Sequence, residues 1–293
     1  MIIKEIQVKS VLTKSNLPIA GYSVNPYVGC SHACKYCYAC FMKRFTGHSE
    51  PWGEFIDVKM WPPILHPNRY DGSTFIVGSV TDGYIPQELK YERTRAFLTQ
   101  MQGAKIHLII TTKSDLVTRD IDLIKTFPDP LVSWSINTLD ESFKSDMERT
   151  PSIERRIEAM RKCHEAGIRT TCFISPIFPG ITDVLSIIDR IKDCCDYIWL
   201  ENLNLRGGFK KTIIDYIHSH RPELDGLYSS IYSKGDLTYW KELDKAVDGY
   251  AKENGFEYVI DEEPFLRNAT GKPMIINYFY HSTITQSAKK NHL

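Results

Sequence analysis

The sequence predicts an α/β protein, a partial (β/α)6 parallel barrel followed by an α-rich C-terminal extension. Three observations lead there: short apolar runs alternating with amphipathic helical patterns, a polar cluster at the end of each run, and a chain of 293 residues, long enough to bury a barrel-sized core. The runs at 74–78, 105–110, 131–136, 168–174 and 196–200 are rich in β-branched or aromatic residues and read as buried strands. Between them, apolar residues recur at three and four: Thr94, Phe97, Leu98 and Met101; Leu116, Ile121 and Ile124; Ile153, Ile157 and Met160; Val184, Ile187, Ile188 and Ile191. Strand then helix, repeated, gives parallel right-handed units. Tyr22 to Val28, weakened by Pro26, is the sixth strand. Six strands also suit a doubly wound sheet, but none is followed by Gly-x-Gly-x-x-Gly.

Around this alternation lie three less regular stretches. Residues 1–20 read as a polar lead-in, and 41–72 as a long connection whose aromatics are expected to pack over the barrel mouth. Residues 1–206 form the expected barrel domain and 207–293 the extension, with helices near 209–219 and 238–254 and an apolar run at 274–280. Gly255 stops the second of these helices. Tyr278-Phe279-Tyr280-His281 is placed to close the barrel or meet a partner, and Ser287 to Leu293 to fray.

Lys plus Arg equals Asp plus Glu, at 36 each, so no global basic field recruits a polyanion, although a local basic groove stays open. The N-terminus carries acid too early for a signal peptide, and no apolar run approaches the ~20 residues that span a bilayer. The Cys cluster at one loop rather than spreading as a disulfide framework, which suits a reducing compartment, the cytoplasm.

That loop, Gly29-Cys30-Ser31-His32-Ala33-Cys34-Lys35-Tyr36-Cys37-Tyr38, brings three thiols within eight residues. Soft thiolates select iron–sulfur clusters, zinc or Cu(I), and a four-iron cluster normally takes four Cys. Three ligands leave one iron open, as catalytic metal sites require. Positions i, i+4 and i+7 also share a helix face, but Gly29, Ser31, His32 and Lys35 suit a polar loop better than a core stripe. Cys40 could close the site as a fourth ligand, although structural zinc sites usually join two separated Cys pairs. Cys163, Cys172, Cys194 and Cys195 read as buried small hydrophobes.

Parallel barrels do chemistry at the C-terminal ends of their strands. Here those ends carry Thr81-Asp82, Thr112-Lys113-Ser114, Ser135-Ile136-Asn137, Ser175 to Gly180, and Glu201-Asn202-Leu203-Asn204-Leu205-Arg206. Capping and strand termination explain any one of them, and Thr182 reads as a helix cap. Glu201, Asn202, Asn204 and Arg206 follow the last strand, where substrate contacts belong.

Cys30, Cys34, Tyr36 and Cys37, as Cys-x3-Cys-x-aromatic-Cys, resemble the signature of the radical S-adenosylmethionine (SAM) superfamily. The resemblance implies a partial barrel, a [4Fe–4S] cluster on the three Cys, and SAM chelating the fourth iron. Reduction then cleaves SAM to methionine and a 5′-deoxyadenosyl radical that abstracts hydrogen from a substrate. Such a SAM site needs a cation such as Lys113 for the carboxylate, Asp82 or Thr81 for the ammonium, and Ser135 and Asn137 for the ribose. Tyr36 and Tyr38, then Thr81-Asp82, Thr112-Lys113-Ser114 and Ser135, resemble the spore photoproduct lyase branch, where the matching positions contact SAM. The full pattern, including Phe41 to His48, Gly78 to Glu88 and Trp199 to Gly207, is similar to the radical SAM mobile pair protein B family, whose name implies a second radical SAM protein as partner. A reductant such as flavodoxin or ferredoxin is implied too. The lyase's hydrogen-donating Cys is replaced here by Val80, which cannot relay a hydrogen atom through sulfur. Repair or modification of nucleic acid by a lyase-like route, and a non-catalytic iron–sulfur or electron-transfer subunit, stand as the alternatives.

Overall fold

The structure is a computed structural model, and it describes residues 1–17, 20–260 and 273–279. In chain order its strands are β1 (Ile2–Gln7), β2 (Leu12–Lys14), β3 (Tyr22–Val24), β4 (Tyr27–Val28), β5 (Phe55–Met60), β6 (Thr74–Val77), β7 (His107–Thr112), β8 (Leu131–Ser135), β9 (Arg169–Ile177), β10 (Tyr197–Asn202), β11 (Glu257–Ile260) and β12 (Met274–Asn277). The α-helices are α1 (Glu88–Tyr91), α2 (Arg93–Gln100), α3 (Ile121–Ile124), α4 (Glu141–Met147), α5 (Ile153–Glu165), α6 (Val184–Ile191), α7 (Lys210–His220), α8 (Asp225–Lys234) and α9 (Thr238–Asn254). Strands and helices alternate from β6 to β10, the α/β pattern that the periodicity predicts. Two compact units result, Met1–Trp134 with Ser145–Thr171, and Ser135–Lys144 with Cys172–Leu293. The division expected at residue 206 falls inside the second of these.

In the first unit, β3, β6, β7 and β8 run parallel, with Tyr22 opposite Phe75, Thr74 opposite His107 and Ile109 opposite Leu131. Phe75, Val77, Ile110 and Val132 are fully buried, as strands covered on both faces must be. Each such side chain contributes ~1.5–3 kcal/mol on leaving water. α2 turns Phe97 onto Phe75, ring centroids 6.2 Å apart. α5 starts at Ser152, whose side chain accepts from the Arg155 N–H, and buries Ile153, Arg156, Ile157 and Met160 on one stripe.

Three expectations for this unit need correction. Tyr22 to Val28 is not one strand, because it breaks at Asn25-Pro26 into β3 and β4, which belong to different sheets. Pro26 has no N–H to give a ladder, and its carbonyl accepts from the Lys59 N–H at 3.0 Å. The lead-in holds β1, which pairs parallel with β5 inside the supposed connection. In that connection Tyr70 packs edge-on against Tyr22 and Phe75, whereas Phe41 and Phe45 are exposed.

In the second unit the strand order is β9, β10, β12, β11, with β12 parallel to both of its neighbours. The extension therefore supplies strands as well as the helices α7 to α9. Trp199, Met274 and Ile276 form one buried cluster, and Trp240 lies over Phe279 at 5.7 Å. α9 ends at Gly255, whose φ of 75° only Gly adopts without strain. Thr182 does not cap α6: Asp183 does, its side chain accepting from the Ser186 N–H, while Thr182 Oγ1 donates to the Asn137 carbonyl at 2.8 Å. Tyr280, His281 and the tail from Ser287 lie outside the described residues. Among the described residues no helix is long and apolar enough to cross a membrane.

Candidate functional site

Cys30 to Cys37 form successive tight turns rather than a helix face. The Ala33 N–H donates to the Cys30 carbonyl and the Cys37 N–H to the Cys34 carbonyl, both at 3.1 Å. Gly29 makes the entry possible: its φ is +86°, and a Cβ there would stand 2.2 Å from the Phe55 carbonyl oxygen on β5. Gly29→Ala is expected to cost at least ~2 kcal/mol and to lower the melting temperature by roughly 5 °C or more. An unchanged melting temperature would mean that β5 gives way freely and that the loop is not pinned there.

The three thiols of the loop, and Cys40 after it, are free and partly buried. Burial, followed by the charge of Asp82, pushes the Cys30 thiol up to about 12, against the pull of the Asp82 and His32 backbone N–H groups. Cys34 is raised by burial and by Glu148, with Lys113 opposing. For Cys37 burial again dominates, opposed by the Ala39 N–H and the Trp52 indole. Binding a metal there would displace the protons of these thiols. The surrounding N–H groups then suit metal-bound thiolates, since donors to the sulfurs tune such centres. Three unlinked thiols on a constrained loop, with N–H groups around Cys30 and Cys37, fit a cluster bound by three Cys. Among the described residues no three His, Cys, Asp or Glu side chains converge as on a single metal ion. A four-iron cluster takes each thiolate on a different iron.

The turn after β6 is shaped from two sides. Asn25, at the break between β3 and β4, accepts from the Val80 and Thr81 N–H groups at 3.1 and 3.3 Å. Asp82 has both oxygens engaged: Oδ1 accepts from the Tyr84 N–H and Thr112 Oγ1, each at 2.8 Å, and Oδ2 from the Lys113 N–H at 2.7 Å, with His32 Nε2 at 3.0 Å. Although burial alone would raise it, His32 and the two backbone N–H groups hold its carboxyl below the ordinary range. A carboxylate has about four lone-pair sites, and these partners use them. Asp82, named with Thr81 for the ammonium, ties the Cys loop to the ends of β6 and β7. His32 Nδ1 is buried without a hydrogen-bond partner.

Behind the loop lies a residue that the sequence reading missed. Glu148, its side chain 1% exposed, accepts from the Tyr36 hydroxyl, from Arg156, and from Thr150 Oγ1 at 2.9 Å. Lys113 Nζ stands 3.2 Å from Oε2 of Glu148 and 3.1 Å from the Tyr36 hydroxyl. Burial works against the charge on Glu148, but Lys113, Arg156 and the Tyr36 hydroxyl hold its carboxyl far below the ordinary range. One signal in the sequence could have exposed this set. Arg156 sits in the stripe of Ile153, Ile157 and Met160, and a cation there demands a buried anion. Tyr38 is exposed, its hydroxyl donating to the Ser79 carbonyl.

Thus Cys30, Cys34, Cys37, Tyr36, Tyr38, Thr81, Asp82 and Lys113 all belong to the first unit, Asp82 following β6 and Lys113 following β7. Ser135, Asn137, Glu201, Asn202, Asn204 and Arg206 belong to the second. There Asn137 is buried, its Nδ2 donating to the Pro176 carbonyl at 3.4 Å, and Asn202 is buried at the end of β10. Glu201 accepts from Ser175 Oγ at 2.8 Å rather than pairing with exposed Arg206. Burial pushes its carboxyl up, against Ser175 and the more remote charge of Arg206. A folded-state pKa above the unfolded value of ~4.3 means that the folded chain binds the proton first. The contribution of Glu201 to stability is therefore complete below pH ~4.3 and is lost as pH rises through the folded value. Glu201→Gln is expected to melt at or above the wild-type temperature at pH 7, the wild type gaining on it as pH falls toward ~4.5. Parallel melting curves for the two proteins would show that Glu201 is not held in this way.

The family model described as the radical SAM superfamily matches residues 24–191. An uncharacterized protein of Methanocaldococcus jannaschii is 37% identical over 220 residues, 75% of this chain and 83% of that protein. Another, from Acidianus two-tailed virus, is 30% identical over 242 residues, 77% of this chain and 76% of that protein. Among solved structures, spore photoproduct lyase complexed with dinucleoside spore photoproduct is similar with a TM-score of 0.61 at 16% identity, over 94% of this chain and 82% of that one. Streptococcus suis SuiB bound to precursor peptide SuiA follows with a TM-score of 0.52 at 14% identity, over 94% of this chain and 52% of that one. At these identities the structural likeness speaks for the fold.

Proposed function

Because this chain belongs to the radical SAM superfamily, we propose that Cys30, Cys34 and Cys37 hold a [4Fe–4S] cluster and that the protein is an enzyme abstracting hydrogen from its substrate. A cluster held there would supply the electron for reductive cleavage of SAM. The observation that carries this reading is the thiol loop itself, with backbone N–H groups around its sulfurs and Lys113 of the first unit at its back.

The chain's own side chains bind and orient. Lys113 offers its ammonium to the SAM carboxylate, held in place by Glu148 and Tyr36. Thr81, with Tyr36 and Tyr38, lines the cofactor, while Ser135 and Asn137 offer hydroxyl and amide groups to the ribose. Asp82 keeps the loop and the strand ends in register. Glu201, Asn202, Asn204 and Arg206 are the substrate-facing set. All of these lie within residues 1–206. A flavodoxin- or ferredoxin-type reductant in the cytoplasm, and a second radical SAM protein, complete the system.

Val80 argues against the thymine-photoproduct chemistry of the lyase, because a hydrogen atom relayed through sulfur needs a thiol at that place. The test is anaerobic reconstitution with iron and sulfide, reduction with dithionite, and chromatography of the products formed from SAM. Release of 5′-deoxyadenosine is expected, and a reconstituted cluster that leaves SAM intact would overturn the reading.

A further inference from the structure

Glu148 meets two kinds of partner. Its Oε1 takes Thr150, in the run into α5, and Arg156, on α5 itself. Its Oε2 takes the Tyr36 hydroxyl and Lys113, and lies 3.6 Å from Cys34 Sγ, which donates its S–H. A cluster bound through Cys34 would lie beside this carboxylate, with Lys113 and Arg156 as the neighbouring cations.

The carboxylate cannot retreat, since Arg156 is as buried as Glu148 and its Nε is tied to the Pro151 carbonyl at 3.2 Å. Both side chains are 1% exposed, out of reach of bulk-solvent screening. Fixed charges in such a setting act strongly on a redox centre at short range.

We infer that Glu148 and Arg156 form a built-in charge pair that sets the reduction potential of a cluster bound through Cys34. The inference rests on the cluster assignment above and extends it to residues that ligate nothing. Adding an electron makes the cluster more negative. The anion of Glu148 therefore resists reduction, and the cation of Arg156 favours it. Lys113 is left with donors to spare for a ligand carboxylate, because Arg156 shares the task of neutralising Glu148.

The two charges call for variants with effects of opposite sign, which a merely structural role would not produce. Redox titration of reconstituted protein, followed by the paramagnetic signal of the reduced cluster, reads the midpoint potential. Glu148→Gln is expected to raise the equilibrium constant for reduction by about tenfold, ~59 mV for one electron, and Arg156→Gln to lower it. Glu148→Asp keeps the charge and should stay near wild type, which guards against a Gln variant that folds poorly. Unchanged potentials, shifts of one sign in both Gln variants, or an Asp variant displaced as far as Gln, each at wild-type iron content, would overturn the inference while leaving the cluster assignment intact. A wild-type protein that takes up no iron would instead remove the reading on which it rests.

Discussion

Replacing any one of Cys30, Cys34 or Cys37 by Ala is expected to abolish SAM cleavage, whereas Cys40→Ala keeps both the iron and the activity. Wild-type protein should hold about four irons after anaerobic reconstitution. Each of the three cysteines ends or begins a turn pinned by its own backbone hydrogen bonds, so no neighbouring donor can swing in to replace a missing sulfur. Cys40 stands apart, within the short 3-10 helix Tyr38–Phe45 that follows the loop. Iron analysis and the product assay together decide the matter. If Cys40→Ala loses iron as readily as Cys37→Ala, the site is closed by four thiolates and no iron is open to SAM.

The fold was legible wherever burial wrote itself into the periodicity. The run before Thr112, the run before Ser135 and the stripe of Ile187, Ile188 and Ile191 all lie in elements within a few residues of their expected bounds. α9 was readable because Gly255 marks its end. β5 was not, since Phe55-Ile56-Asp57-Val58-Lys59-Met60 carries two charges in a strand. The Asp57 carboxylate is tolerated there because His48 Nε2 lies 2.9 Å from it, and no periodicity reveals a partner that comes from a loop. β1 escaped for the opposite reason: it is exposed along most of its length and has no apolar face to display.

At the site, local spacing was readable and long-range pairing was not. The Cys triplet is a short-range pattern, and Lys113 follows a strand end. Asp82 and His32 are fifty positions apart, and Tyr36 and Glu148 more than a hundred, so nothing in either neighbourhood announces the other. Asp82 reads from the sequence as a ligand candidate, while its bonds to Thr112 and to the Lys113 N–H are not legible there. Arg156 is the instructive case. Its place in an apolar stripe is a local anomaly that points to a distant, buried anion, a signal that periodicity analysis discards as noise.

Lys113→Ala is expected to weaken SAM binding by roughly ten- to a hundredfold, the loss of one charge-assisted contact of about 1.5–3 kcal/mol. The structure sharpens this expectation by limiting the side effects. Removing Lys113 does not strand Glu148, because Arg156, Thr150 and the Tyr36 hydroxyl still satisfy it, so the cost of an unpaired buried charge is avoided. Iron content and melting temperature should therefore stay close to wild type while affinity falls. Lys113→Arg would not restore it fully, since the longer planar head must displace the Tyr36 hydroxyl to reach the same oxygen. Equilibrium titration of the reconstituted protein with SAM, alongside a thermal melt, separates the outcomes. Unchanged affinity with a large loss of melting temperature would make Lys113 a structural partner of Glu148 and leave the SAM carboxylate to another group.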